Sequence, residues 1–433
     1  MHFNYNRCHF FCVIFLLISF NGTTQIIEAV YKSNIKTAQL FQYGNQQGMP
    51  VYNLNSGNKL ELEFDDMDGN YKSYYFTYVL CDYNWKPSNL SSFDYIKGFS
   101  QNRITTYRYA SIAYKKYTHY QAFLPNQDAV PTKSGNYLLK VYLDGDTAKT
   151  VFTKQMIVVD QNALISSEVL QPFSTQFFYS HQKLRFSVNI KIPNTFSLAQ
   201  QVKVVVLQNN RWDNAQRDIV PTFVRGNIME YNSENIGIFP GGKEWRWLDL
   251  RSFRLQSDRI ESGVYDERNA EFFLKKDVDR TAQQYIYFPD YNGMYNISTY
   301  ESINPFWQGD YAKINFSFSP PDHLPFYDKE LFLAGAFTGY NLNEEWKLKY
   351  NNETECYETS AFLKQGYYNY TYIAVDKNNP AIKTTFEGNY WETENEYTIL
   401  VYYKSFTDRN DQLIGMSTIN SRKTAVTRPY SQQ

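Results

Sequence analysis

Leu60-Glu61-Leu62-Glu63-Phe64 and Ala312-Lys313-Ile314-Asn315-Phe316-Ser317-Phe318-Ser319 carry the same message. Apolar and polar side chains alternate with a period of two. That places the apolar set on one face of a sheet and the polar set on the other. The pattern recurs along the chain, and no long segment has a convincing 3.6-residue period. With 39 Tyr and 32 Phe in 433 residues, the composition also suits pleated, half-buried surfaces. The reading is an all-β protein made of tandem β-sandwich domains, Ig-like or E-set-like, behind a cleaved signal peptide. Exported stacks of this kind more often bind and position other molecules than catalyse.

Residues 1–24 read as the signal. Arg7 supplies a short positive region, and Phe10 to Phe20 is an apolar run of eleven residues. A bilayer span needs about 20. Asn21-Gly22-Thr23-Thr24 is small and polar enough to hold the cleavage site, so the mature chain is expected to begin near Gln25. The rest of the chain has room for two to four domains. Lys and Arg number 43 against 44 Asp and Glu, a net charge of -1. There is no basic run with interleaved aromatics, so no nucleic-acid partner is expected. Cys81 and Cys356 lie far apart and are expected to be separate buried thiols. So few cysteines in an exported chain point to a bacterial envelope.

Turn signals between short strands divide the chain into three β units. These are residues 33–160, 161–305 and 306–412, followed by a polar, basic stretch, 413–433, expected to be a flexible tail. Within the second unit, Val202 to Leu207 is an unbroken apolar run, expected to be a central strand covered on both faces.

Few residues suggest chemistry. His119, His181 and His323 lie in different regions, without metal-clamp spacing. His119 is expected to be a packed or hydrogen-bonded strand histidine. Asp66-x-Asp68-Gly69-Asn70 is a fragment of a calcium-loop pattern without its closing Glu, and fits a hairpin turn. No nucleophile elbow, phosphate loop or Cys-x-x-Cys is present. No enzyme, cofactor or metal is expected. Asn209-Asn210-Arg211-Trp212-Asp213-Asn214 follows the apolar run. It is either a partner contact or a loop folded back, with Trp212 closing the sandwich and Arg211 paired to a carboxylate. Trp245-Arg246-Trp247 puts both Trp on one strand face, either core or an exposed aromatic platform. Trp85, Arg211, Trp212 and Asp213 are the candidate partner contacts.

The third unit, with Leu331 to Tyr340 followed by Leu363-Lys364-Gln365-Gly366-Tyr367-Tyr368-Asn369-Tyr370, resembles the Ig-like domains attached to glycogen- and starch-processing enzymes. Here Tyr340 stands where the loop's sugar-stacking Trp would be, and Trp346 is displaced. A shared fold is implied, with sugar binding disfavoured. The alternative function, a periplasmic carbohydrate-binding protein, rests on this unit and the Trp pair.

A wider resemblance runs through Ile35-Lys36-Thr37-Ala38-Gln39-Leu40, Tyr78 to Ser88 (with Cys81-Asp82-Tyr83-Asn84-Trp85-Lys86-Pro87), Tyr117-Thr118-His119-Tyr120, and Gln208 to Ala215. It continues through Phe239-Pro240-Gly241-Gly242, Lys364 to Tyr370 and Asp408 to Gly415. In that order, these segments resemble the plug protein family of the type IX secretion system of Bacteroidota. The resemblance implies a non-catalytic periplasmic protein, held at the outer membrane through its partner, the giant translocon barrel, whose periplasmic mouth it closes. It brings no functional residues with it.

Overall fold

The computed structural model describes residues 28–54, 56–193 and 197–423. The expected signal, 1–24, lies outside them. The regular secondary structure of the described residues is almost entirely strand, with two one-turn α-helices, Leu198–Gln201 and Pro305–Gln308.

The first sandwich pairs a six-stranded with a four-stranded sheet. The larger runs Ala29–Val30, Thr150–Val159, Gly135–Leu143, Tyr74–Cys81, Asn102–Arg103, with Val51–Asn53 added parallel to Thr150–Val159. The smaller runs Ile35–Gln42, Leu60–Asp66, Thr118–Leu124, Thr106–Tyr109. Leu60, Leu62 and Phe64 face the space between the sheets, as their alternation requires. The Phe64 ring sits 5.0 Å from those of Tyr74 and Phe152 and 5.1 Å from that of Tyr120. The polar face of the same strand is not in water. Glu61, Glu63 and Asp65 are all buried, because another part of the chain lies over them.

The remaining strands are shared out differently from the expected boundaries at 305 and 412. One five-stranded sheet contains Ala163–Leu170, His181–Ile190, Ile228–Tyr231, Phe223–Arg225 and Ile238–Pro240. Its partner is a three-stranded sheet, Val202–Gln208, Glu396–Tyr403 and Gln412–Asn420. Two of those three strands come from the far end of the chain. The expected tail therefore begins as a strand, with Leu413, Ile414 and Met416 buried. Residues 424–433 lie outside the described part. Val202–Gln208 is covered on both faces, as its apolar run suggested. It ends its sheet, however, and does not lie at its centre. Val204 and Val206 face the five-stranded sheet, whereas Val205 and Leu207 face Val51, Ile157 and Val159 of the first sandwich. One thin sheet thus serves two cores.

The last body is an eleven-stranded sheet. It combines Arg246–Asp249, Ile260–Tyr265, Ala270–Leu274, Asp277–Val278 and Tyr295–Ile297 from the expected second unit with the six strands from Tyr311–Ser319 to Lys383–Thr385. Its core is continuous: Phe316 and Phe318 pack on Tyr370 and Tyr372, with ring centroids 5.2 and 5.0 Å apart.

Removing residues 412–433 tests this arrangement. Leu413, Ile414 and Met416 are each almost fully buried. At about 1.5–3 kcal/mol each, their loss is comparable to the whole stability of a domain. The truncated chain is expected to lose its cooperative thermal transition in circular dichroism. A dispensable tail would leave the melting curve unchanged.

Candidate functional site

The face of Leu60–Asp66 that points away from its own core meets the eleven-stranded sheet, and the contact is ionic. His119 lies directly opposite Asp65 in strand register, and Tyr311 directly opposite Lys364. One cross-strand pair therefore docks on another. Asp65 accepts hydrogen bonds from His119 Nδ1 at 2.7 Å, from Lys364 Nζ at 2.5 Å and from the Tyr311 hydroxyl. His119 Nε2 lies 2.6 Å from Glu63 Oε2, close in charge terms but outside hydrogen-bond alignment. Lys364 also donates to the Phe306 carbonyl, and its ammonium sits 4.2 Å from the Tyr117 ring centroid. A bulge at Thr37, where φ is 51°, brings that hydroxyl to 2.6 Å from the Tyr311 hydroxyl. Nearby, Asp310 accepts from the backbone N–H groups of Tyr114 and Lys115 at 2.7 and 3.0 Å.

Two carboxylates, a histidine and a lysine are the parts of an acid–base catalyst, but here they face one another and not a substrate. Glu63, Asp65, His119 and Lys364 are each at most 3% exposed. Burial pushes the Asp65 carboxyl up, but Lys364 and His119 outweigh it and hold the group below its ordinary value. Burial drives Lys364 down, only partly opposed by Asp65. Burial lifts Glu63 to about 7 against the pull of His119. Burial pushes His119 down, but Asp65 and Glu63 outweigh it and raise it above its ordinary value. His119 is thus the hydrogen-bonded strand histidine that its context suggested.

A second buried ionic knot lies inside the eleven-stranded sheet. Arg246 bonds Glu387 and Asp277, both at 2.8 Å, and Tyr370 and Tyr372 donate to the other oxygen of Asp277. This settles Trp245-Arg246-Trp247: the Arg points inward and the two Trp lie half-buried on the outer face. Trp247 stacks on Tyr367 with planes 7° apart, and Trp245 meets Tyr340 edge-on. Neither is bare core nor an open platform. Trp346 packs edge-on against Phe337, and Tyr340 lies beneath Arg211 at 4.6 Å.

The loop after Val202–Gln208 folds back. Asn209 and Asn210 both take left-handed φ of 56°, a conformation that Asn tolerates. Their side chains bond Asn395 and Glu396. Arg211 grips Asp213 through two hydrogen bonds, at 3.0 and 2.6 Å. Trp212 packs edge-on against Trp85, with centroids 4.8 Å apart. Trp85 is only 2% exposed and cannot be a surface contact. The reason is local: Asp82 accepts from the N–H groups of Asn84 and Lys86. Trp85 takes φ of 67° in that turn, which throws its ring back onto Cys81 and Leu138.

Arg211, Trp212 and Asp213 instead line a cavity of about 180 Å³ where the bodies of the protein meet. Gln39, Phe41 and Met156 come to it from the first sandwich, and Met294, Tyr295 and Tyr340 from the eleven-stranded sheet. It shares Ala38 and Tyr295 with a larger cleft of about 760 Å³ that runs past Ile35 toward Phe337 and Trp346. Sequence reasoning found the 211–213 loop but not its companions, which have no common spacing or motif. The two cysteines, Cys81 and Cys356, are free and buried. Among the described residues, no group of His, Cys, Asp and Glu is placed to hold a metal. Likewise, no helix there is long and apolar enough to cross a membrane.

Fold and site together define an all-β protein of interlocked sandwiches whose ionisable clusters hold sheet to sheet. The model of the type 9 secretion system plug protein first domain matches residues 35–160. A crystal structure of a hypothetical protein from Parabacteroides merdae superposes with a TM-score of 0.86 at 30% identity, covering 91% of this chain and 98% of that one. No curated protein matches. The chain belongs to the type 9 secretion system plug protein family.

Two predictions follow from the ionic seam. Lys364→Met leaves the Asp65 carboxylate buried without its cation. It is expected to cost about 3–5 kcal/mol in urea unfolding, and Asp65→Leu in the same chain should restore much of that. The second concerns pH. The folded chain keeps the Glu63 proton between the ordinary 4.5 and about 7, where the unfolded chain loses it, so stability falls as pH rises through that window. His119, raised above 6.5, adds stability that is complete below 6.5 and is lost as pH rises through its folded value. The urea midpoint should therefore drop from about pH 5 to about pH 8, and Glu63→Gln should flatten the profile. A native midpoint that rises over this range would contradict the assignment.

Proposed function

We propose that this chain is a non-catalytic periplasmic plug. It docks on the giant outer-membrane translocon barrel of the type IX secretion system and closes the periplasmic opening. The observation that carries the reading is the family match over the first sandwich, 35–160. The structure supports it in physical terms. A stopper for a wide pore must be stiff, and here the first sandwich is tied to the eleven-stranded sheet by Lys364 and to the three-stranded sheet by a shared apolar core. The acid–base groups of the seam, Asp65, His119 and Lys364, hold two of the bodies together. The carbohydrate-binding alternative has less support, because Trp247, Tyr340 and Trp346 already pack against protein groups.

Deleting the gene should make the outer membrane leak to large antibiotics, and the tagged chain should co-purify with the barrel from crosslinked membranes. An intact permeability barrier together with no barrel in the eluate would refute the proposal.

A further inference from the structure

Lys364 and Asp65 meet out of reach of water. Their side chains are 0% and 1% exposed, and Lys364 Nζ lies 2.5 Å from Asp65 Oδ2. Each is carried on a strand, Cys356–Lys364 or Leu60–Asp66, so neither drifts from the other. Aromatic rings enclose them. The Tyr117 and Tyr311 centroids lie 4.2 and 5.3 Å from the ammonium, and Tyr311 stacks on Phe362 with planes 13° apart.

An amine and a carboxyl group held in this way have a route that is closed to an ion pair in water. At rest the pair is ionic, with the Asp65 carboxyl held below its ordinary value. Burial, however, disfavours the charged form of Lys364. One ammonium proton passed along the hydrogen bond to Asp65 Oδ2 leaves an amine against a carboxylic acid, both neutral. Well-oriented groups in fixed contact react as if at roughly 10⁵–10⁸ M. Their condensation replaces two buried ions by one neutral amide, which removes the cost of keeping those ions from water.

The surroundings match the product. Lys364 Nζ already donates to the Phe306 carbonyl, and Asp65 Oδ1 already accepts from His119 Nδ1 at 2.7 Å. An amide has one N–H and one C=O, and these two partners serve both. Only Oδ2 must leave. Its other donor, the Tyr311 hydroxyl, keeps the Thr37 hydroxyl at 2.6 Å.

We propose that Lys364 and Asp65 become joined by an isopeptide bond that the chain forms on itself, stapling the first sandwich covalently to the eleven-stranded sheet. The neutral Nζ attacks Asp65 Cγ, and the C=O electron pair moves onto Oδ1, where the His119 N–H faces the developing charge. The pair then returns to Cγ, and Oδ2 departs as water with the proton it received and a second from Nζ. Of the three ammonium protons, two leave in the water and one stays on the amide. No oxidant, reductant or further reactant takes part. The bond does not depend on the plug reading: it concerns how the bodies are held together, whatever they dock against.

Mass spectrometry of the purified chain, unfolded in acid, tests this. Relative to Lys364→Arg, and after allowing for the substitution, the native chain should be lighter by one water. Trypsin does not cut after an acylated lysine, so the native digest should contain a branched peptide joining residues 60–72 to residues 350–377. Fragmentation should place the bridge at Asp65 and Lys364. Lys364→Arg keeps a cation opposite Asp65 but should release residues 60–72 as a linear peptide. A native chain that has lost no water and yields only linear 60–72 overturns the proposal and leaves the seam an ion pair. A lost water without the branched peptide also overturns it, and assigns the loss to dehydration elsewhere. The deciding digest is of the native chain, so it stands whether or not the variant folds.

Discussion

The contact between Lys364 and Asp65 constrains everything around it. Removing an ammonium and a carboxylate from water costs several kcal/mol per ion, and the pair recovers this only with good geometry and further hydrogen bonds. Here His119, Tyr311 and the Phe306 carbonyl supply those bonds. Such a pair adds little net stability, but it makes docking a matter of register. If the first sandwich slid against the eleven-stranded sheet by one residue, a shift of about 3.3 Å would carry Asp65 out of hydrogen-bond reach of Lys364 and Tyr311. Asp65 and Lys364 would then be buried apart. The ionic seam thus selects one arrangement of two bodies that apolar contact alone would specify poorly. Arg246 with Asp277 and Glu387 fixes strands within the eleven-stranded sheet in the same way.

Tyrosine makes polar seams compatible with packed cores. Its ring fills volume like Phe, and its hydroxyl reaches a partner at the sheet surface. Tyr74 donates to Asp66, Tyr397 to Gln182, Tyr402 to Asn136 and Tyr368 to the Lys364 carbonyl. Tyr402 and Asn136 belong to different bodies, so that bond also joins the three-stranded sheet to the first sandwich. The aromatic alternation that announces the fold is therefore also part of the mortar between its pieces.

How much of this was legible in the sequence follows from the range of each signal. Alternation is local, so it correctly gave the faces of Leu60–Asp66 and Tyr311–Ser319. It says nothing about what covers a face, and so it could not show that Glu63 and Asp65 lie under a second body. Strand pairing is not local either. Glu396–Tyr403 reads as a strand from its own residues, but its pairing with Val202–Gln208 depends on the whole intervening chain. The polar composition of 413–433 hid a strand, because Leu413, Ile414 and Met416 form only one short apolar cluster. At the site, a folded-back loop with Arg211 paired to a carboxylate was one of two readings the sequence left open, and the carboxylate is Asp213, two residues on. The burial of Trp85 was not, because it depends on a single left-handed residue in a loop.

Buried ionisable clusters invite a catalytic reading, and the enclosure of Glu63, Asp65, His119 and Lys364 argues against it for this cluster. A catalyst must present its acid or base to a substrate, within hydrogen-bond reach and at a cavity. Glu63 and His119, the groups whose shifts would suit such work, are sealed beneath Phe306 and the strands that carry Lys364 and Tyr311. The 180 Å³ cavity, by contrast, is lined by ion pairs already closed and by aromatic and thioether side chains. The acid–base groups of the seam are enclosed where the bodies join. In the proposed plug, the enclosed groups serve rigidity by holding the bodies in one arrangement.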